Sequence, residues 1–405
     1  MSTVVFRNKT GRSYPLAASV GQPLRDVLRA NGIPANAVLT YLNGRVVPED
    51  TVTLGPDDVV ELRQVRHYDL DVIRNPKVHT YGAPDPVYTK TILFDHGGDL
   101  EHRAEQLTAD SFVQYVEQTF LQSVAHGATM RAGDRVVIGL SGGRDSVAYL
   151  KLLERTRGHW PEVDMTAVTI TGLPDWEEPS TFTAALDAYQ ALGIEHSVLT
   201  ADDIAEVFHL REPFVDIMNR LVAGEHRNMN MVIGHQVLRR MLEWEAQRRG
   251  ASVVAFGFNA DDLVASLVTW FTSGYRMGSI PVREIGPLRY TFPLYRITKK
   301  ELTLYLELVA PQQNRQGTPG RFTTGTDERS MAYAIADQLY DLWPGIDYYL
   351  FNAFTTVQLS MMPVMDDVCR VCGGRYLLQE GAANPAGLCD VCGFLQRQEV
   401  LRADV

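Results

Sequence analysis

Apolar and polar residues alternate over Val4–Phe6 and again over Ser13–Leu16, with turn residues Asn8–Gly11 between them, a pattern that predicts a β-hairpin. From Pro23 to Ala30 the period lengthens, and Leu24, Val27 and Leu28 fall on one helical face. Val38–Leu42, an Asn43-Gly44 turn, Arg45–Val47 and Val59–Leu62 supply further strands. Pro and Gly then accumulate between His67 and Glu101, which predicts an irregular linker packed on a neighbour. Leu107–His126 predicts a helix. Beyond it, apolar β-branched runs at Val136–Leu140, Met165–Ile170, His196–Leu199 and Val253–Gly257 alternate with helical patterns near Val147–Thr156, Phe182–Leu192 and His235–Arg249. That alternation predicts an α/β domain with a parallel sheet covered on both faces and a ligand at the carboxyl ends of its strands.

At 405 residues the chain is long enough for two or three domains. Met1–Arg12 has no apolar core of a signal segment, and no run is long and apolar enough to span a bilayer, so a soluble, cytoplasmic protein with no membrane partner is expected. The net charge of −11 argues against indiscriminate nucleic-acid binding and leaves a local basic groove open. All four cysteines lie between Cys369 and Cys392, so the rest of the chain has no thiol.

Candidate chemistry begins at Gly139-Leu140-Ser141-Gly142-Gly143-Arg144-Asp145-Ser146, set between an apolar strand and a helix. Glycines without Cβ atoms let the backbone turn its N–H groups onto an anion, and the following helix adds the positive end of its dipole. Ser141 and Ser146 can donate hydroxyl hydrogen bonds, and Asp145 can accept one or help hold Mg2+. The spacing is not that of a Walker loop. After Val253–Gly257 come Phe258-Asn259-Ala260-Asp261-Asp262. Two carboxylates at a strand's carboxyl end can hold a metal or orient an acceptor, and the same pair can equally cap the next helix. Arg276, Arg283, Arg289, Arg296, Lys299 and Lys300, with Tyr275 and Tyr290 for stacking, offer either a phosphate-binding edge or an ordinary solvated surface.

Cys369-Arg-Val-Cys372 and Cys389-Asp-Val-Cys392 stand sixteen residues apart, each followed by glycine. The spacing is that of a tetrahedral four-cysteine zinc site, whose metal can fold a small ribbon with little core of its own. Redox-active dithiols are the rival reading.

The Ser-Gly-Gly-x-Asp-Ser loop resembles that of the PP-loop ATP pyrophosphatases, which adenylate a substrate with ATP and release pyrophosphate. From Asp134 to Phe394 the chain resembles the tRNA 2-thiouridine synthetases among them. Gly257, Asn259, Asp261 and Asp262 match their Gly-His-Asn-x-Asp-Asp segment, with Phe258 in place of histidine. Pro293-Leu294 with Lys299-Lys300-Glu301 matches a Pro-Leu…Lys-Glu segment, with Phe292 in place of arginine. Residues 3–63 resemble ubiquitin-like sulfur carriers, yet no free Gly-Gly end is present, since Gly97-Gly98 is followed by Asp99. Arg239 and Arg240 match a paired-arginine helix of the family, but Asn230 and Ile233 stand where its Cys-x-x-Cys thiols belong, and Val309–Gln313 has no third thiol. Because those thiols hold a cluster or carry a persulfide, no iron–sulfur cluster is expected.

The resemblance implies a β-grasp domain at 1–66, a linker at 67–106, a PP-loop ATP pyrophosphatase domain of the adenine-nucleotide alpha-hydrolase type at 107–345, and a zinc ribbon with tail at 346–405. It implies ATP and Mg2+ at Gly139, Ser141, Gly142, Gly143, Arg144, Ser146, Gly257 and Asn259, catalytic roles for Asp145, Asp261 and Asp262, and structural Zn2+ on the four cysteines. The expected reaction is adenylation of an acceptor carbonyl oxygen followed by sulfur or amine transfer, as in tRNA thiolation. A small-molecule ligase using the same chemistry and a non-catalytic nucleotide-binding assembly protein are the alternatives. The partners implied are tRNA or a small-molecule acceptor, an external sulfur-carrier protein, and a second copy in a homodimer.

Overall fold

The computed structural model describes residues 2–8, 10–65, 70, 73, 76–95, 100–173, 189, 192–223, 229–273, 279–313, 328–361, 364–379 and 384–402. The chain divides into two compact units, one of Met1–Gly82, Lys90–Glu105 and Leu342–Pro344, the other of Ala83–Thr89, Gln106–Asp341 and Gly345–Val405.

The first unit opens with β1 (Thr3–Arg7), β2 (Ser13–Leu16), α1 (Leu24–Ala30), β3 (Val38–Leu42), β4 (Arg45–Val46) and β5 (Val59–Gln64). They form a sheet of order β2-β1-β5-β3-β4 in which β1 and β5 run parallel. Asn43 and Gly44 both take positive φ, 50° and 83°, as a two-residue hairpin turn requires. Leu24, Val27 and Leu28 of α1 pack on Val4, Phe6, Val60 and Leu62. The stretch expected to be an irregular linker instead holds β6 (Lys77–Tyr81), β7 (Tyr88–Asp95) and β8 (Leu100–Leu107), a sheet of order β6-β8-β7. These strands are polar, and in β8 only Ala104 and Leu107 are buried, so the usual alternation of apolar positions is missing.

In the second unit α2 (Ala109–Ala125) leads to β9 (Arg135–Gly139), α3 (Arg144–Arg155), β10 (Asp164–Ile170) and β11 (Glu195–Leu199). Then follow α4 (Ala201–Val207), α5 (Phe214–Ala223), α6 (Met229–Arg249), β12 (Val253–Phe256), α7 (Ala260–Ser273), β13 (Val282–Ile285), β14 (Leu288–Thr291) and α8 (Lys299–Val309). The helix expected over Phe182–Leu192 lies outside the described residues except for Tyr189 and Leu192. The sheet has order β11-β10-β9-β12-β14-β13 and is parallel except for the edge strand β13. Val136 and Ile138 of β9 face one core with α2, α3 and α8, while Val137 faces the other with α4 to α7. The chain runs from β9 outward to β10 and β11, then returns to β12 on the opposite side of β9. The crevice between the carboxyl ends of β9 and β12 is therefore the topological switch point, where ligands bind in open α/β sheets.

After α9 (Glu328–Leu342) and α10 (Ile346–Met361), the antiparallel pair β15 (Val364–Val368) and β16 (Arg375–Gln379) and helix α11 (Asp390–Arg397) carry the cysteines. Residues 346–361, expected as part of the ribbon, are thus mainly helix. Among the described residues no helix is long and apolar enough to cross a membrane.

Candidate active site and four-cysteine centre

The phosphate loop joins β9 to α3 at the switch point. Gly142 takes φ 77°, a conformation that favours glycine. Gly143 does not need that freedom, because it is the N-cap of α3 at φ −68° and ψ 174°. Gly139 serves packing, since a Cβ there would come within 2.7 Å of Leu242 Cδ1. The Ser141 N–H donates to Ser146 Oγ at 3.0 Å, and the Ser141 and Ser146 hydroxyls lie 3.3 Å apart, which closes the loop over the first turn of α3. Arg144 begins that turn, partly exposed.

Asp145 gathers the rest of the site. Its Oδ2 accepts from Asn259 Nδ2 and from Lys299 Nζ, each at 3.2 Å. Asn259, wholly buried, uses its other end to cap α7: its Oδ1 accepts from the Asp262 N–H at 3.0 Å, and the Asn259 N–H donates to Asp262 Oδ2 at 3.1 Å. The Tyr333 hydroxyl also donates to Asp262, and the Lys299 N–H donates to Asp261. The capping and site roles of the Asp261-Asp262 segment therefore coexist. Gly257 lies close to the loop, a Cβ on it falling 3.6 Å from the Gly139 carbonyl oxygen.

These carboxylates are crowded. Burial pushes Asp261 up to about 6, the Asp262 charge adds to the rise, and the Lys299 N–H opposes it. Burial and the Asp145 charge push Asp262 up, against the Tyr333 hydroxyl and Lys299. Three carboxyls meeting one lysine favour a further cation, and the loop's N–H groups await an anion; a metal-bound polyphosphate supplies both.

Lys299 and Tyr333 are the site residues that sequence reasoning missed as partners of the aspartates. Lys299 did carry a signal. It opens α8 behind the Thr298/Glu301 capping box, where the helix dipole disfavours a cation, so its place there needs a compensating anion. Tyr333 had none.

The expected basic edge does not form as a unit. Arg283 and Tyr290 are buried, Tyr290 donating to Glu243 at 2.6 Å with the Arg283 guanidinium 4.9 Å from its ring centroid, and Arg289 pairs with Asp134. Arg296 lies over Tyr348 and Lys300 over Tyr88, while Tyr275 and Arg276 lie outside the described residues. Gly97-Gly98 likewise lies outside them. The two departures Phe258 and Phe292 meet each other, rings 6.2 Å apart at 12°, so an apolar stack occupies the place of a histidine and an arginine. Ile233 is buried in the core, and the side chain of Asn230 is outside the described set.

The sulfurs of Cys369, Cys372, Cys389 and Cys392 all lie within 4.8 Å of one another, and all four residues are buried. Gly373 takes φ 64° as the first knuckle requires, whereas Gly393 lies within α11. Hydrogen bonds from the other three thiols pull Cys369 down, while those from Cys369 and Cys372 push Cys389 and Cys392 up. Four such sulfurs can be thiolates together only around a metal. The donor set fits one.

No family model matches the chain. It is similar to a tRNA-cytidine(32) 2-sulfurtransferase of Psychromonas ingrahamii, 24% identical over 215 residues that make up 52% of this chain and 64% of that one. It is also similar to the tRNA 2-thiolation protein NcsA of Haloferax volcanii, 31% identical over 140 residues, 34% of this chain and 40% of that one. The chain thus spans less than two thirds of the length of these relatives. In three dimensions it matches the U34-tRNA thiolase NcsA from Methanococcus maripaludis, solved with its 4Fe–4S cluster, at a TM-score of 0.55 and 18% identity, covering 81% of this chain and 98% of that one. The chain is thus similar to tRNA-thiolation proteins over part of their length and shares the fold of the matching thiolase.

These findings overturn one part of the expected cofactor set, the exclusion of an iron–sulfur cluster. That exclusion rested on Asn230, Ile233 and the absence of a thiol over Val309–Gln313, whereas the matching thiolase carries a cluster and this chain brings four buried cysteines together elsewhere. Four thiolates are a complete ligand set for such a cluster as they are for zinc, so its exclusion does not stand.

Proposed function

We propose that this chain is an AMP-forming PP-loop ATP pyrophosphatase that adenylates the carbonyl oxygen of a tRNA base and exchanges it for sulfur. The observation that carries this reading is the junction at Asp145: one carboxylate ties the phosphate loop to Asn259 of the aspartate segment and to Lys299 at the head of α8. The first turns of α3 and α8 thus meet beside the switch point, a place where helix N-termini favour an anion.

In this reading the loop amides and Ser141 hold the polyphosphate, and Lys299 moves from Asp145 to the leaving pyrophosphate as negative charge develops. Asp261 and Asp262, kept close together, orient the acceptor and the cation that accompanies ATP. The sulfur arrives from a separate carrier or as free sulfide, because the residues around the loop include no thiol. The N-terminal sheet, read as a β-grasp domain, is a docking or structural module in this account, and a homodimer is compatible with it.

The test is pyrophosphate release from ATP with bulk tRNA, with cell-extract metabolites, or with neither. Release together with AMP that depends on tRNA, and 2-thio nucleosides in the digested product when sulfide is present, supports the proposal. Release triggered by a small carboxylate instead identifies the ligase reading. Formation of ADP sinks both.

A further inference from the structure

Helix α6 bears two adjacent arginines that reach the cysteine ribbon, and they differ in one respect. Arg239 donates from Nη2 to the Arg375 carbonyl at 3.1 Å and pairs through Nε with Glu243 at 3.2 Å. Arg375 pairs with Asp366. Arg240 donates from Nε to the Cys372 carbonyl at 2.8 Å, and among the described residues no carboxylate pairs with it. It is only 6% exposed, and its Nη1 is buried without a hydrogen-bond partner. A guanidinium stays charged in a protein, and an unpaired buried charge is costly. Something negative must balance it.

The neighbouring group that becomes negative on binding a metal is the four-cysteine cluster. The point where a Cβ of Gly374 would sit is 2.9 Å from Arg240 Nε and 3.4 Å from Cys372 Sγ, so cation and sulfur flank one glycine. A small cavity bounded by Gln236, Arg239, Arg240, Cys372, Cys389 and Arg375 joins the two. Four thiolates around a doubly charged ion, or around a cluster core of the same charge, keep two negative charges in excess.

We infer that Arg240 is the positioning residue and counter-charge of the four-cysteine centre: it fixes the Cys372 knuckle through its carbonyl and offsets the centre's negative charge. The inference rests on the cysteines holding a metal and does not depend on the reaction at the phosphate loop. It couples metal retention to α6, because a departing metal would leave Arg240 as an unpaired charge inside the core.

The experiment begins with iron, sulfide and divalent-metal analysis of the unaltered full-length protein. A protein that holds none and takes up none when offered iron with sulfide, or zinc, refutes the metal reading itself. With metal present, release is timed with bathophenanthroline for iron or a metallochromic dye for other ions. Arg240→Met is expected to release metal about tenfold or more faster than the unaltered protein, with Arg240→Lys much closer to it. Equal rates in Arg240→Met and the unaltered protein overturn the proposal, as does an Arg240→Lys protein that loses metal as fast as Arg240→Met. Should Arg240→Met fail to fold, hydrogen exchange in the unaltered protein decides. Stripping the metal must speed exchange around Arg239–Glu243 of α6 while sparing β9 and α3; unchanged exchange there overturns the inference.

Discussion

The phosphate-loop crevice and the four-cysteine centre both concentrate charge, and they handle it in opposite ways. In the crevice the charged groups are partly exposed and pair with one another: the side chain of Lys299 is 50% exposed and that of Asp145, on which it rests, 24%. Such pairs contribute little on their own and exchange readily for a better partner. At the ribbon the sulfurs are buried, and among the described residues no carboxylate pairs with Arg240, whose Nη1 is buried without a hydrogen-bond partner. The first arrangement suits a ligand that comes and goes, and the second suits a resident. Exposure and partner redundancy separate a substrate site from a structural one in this fold more clearly than residue type does.

The comparison can be broken in four ways. The largest effect is expected from Cys392→Ser, which removes one ligand of a resident metal: metal content should fall to near zero and the ribbon's circular dichroism and protease resistance with it. A variant that keeps its full metal load would show that the centre is not built on all four cysteines. Next, Asp262→Asn keeps an acceptor for the Asn259 N–H but removes the charge. Pyrophosphate release should drop about a hundredfold or more while ATP still binds in calorimetry; a variant with full turnover removes Asp262 from the chemistry. Lys299→Gln should weaken ATP binding about tenfold, roughly 1.4 kcal/mol, and leave AMP binding nearly unchanged. Equal losses for both nucleotides would place the lysine away from the phosphates.

The fourth effect is on stability alone. Asp261 has a folded value of about 6 against an ordinary 3.8, so the native state holds its proton more tightly than the unfolded state does. Its contribution is therefore most favourable below the unfolded value and is lost as pH rises through about 4 to 6. Asp261→Asn removes that dependence. Relative to the unaltered protein it should gain stability across the same window, on the order of 3 kcal/mol by pH 7 in urea unfolding, and gain almost nothing at pH 3.5. A gap that does not change with pH would assign the effect to something other than this carboxyl.

The features that proved legible in the sequence are local ones. The β-branched runs of β9, β10 and β12 and the glycine loop behind β9 carry their structure in consecutive residues, and so do the Asn43-Gly44 turn and the paired cysteine knuckles. What was hidden comes from distant residues meeting. Lys299 reaches Asp145 across the switch point, and Tyr333 reaches Asp262 from a helix late in the chain. Tyr290, read as a stacking surface, is buried because β14 lies inside the sheet between β12 and β13. Strands β6 and β8 carry few apolar positions, and the short run Ile92–Phe94 of β7 has no alternation to mark it. The cofactor expectation failed for a related reason: two missing thiols near α6 say nothing about thiols that another part of the chain folds together.

Asn259 carries a consequence of its own. One end of its amide accepts the Asp262 N–H, and the other donates to Asp145. Aspartate would cap the helix as well and is almost the same shape, yet it would turn a negative oxygen toward Asp145. Leucine would fill the volume and satisfy neither neighbour. The position thus works as a polarity key, since a side chain fits only if its two ends differ in hydrogen-bond sense. In a library that randomises residue 259, retention of both a stable α7 and a working phosphate loop should single out the amide.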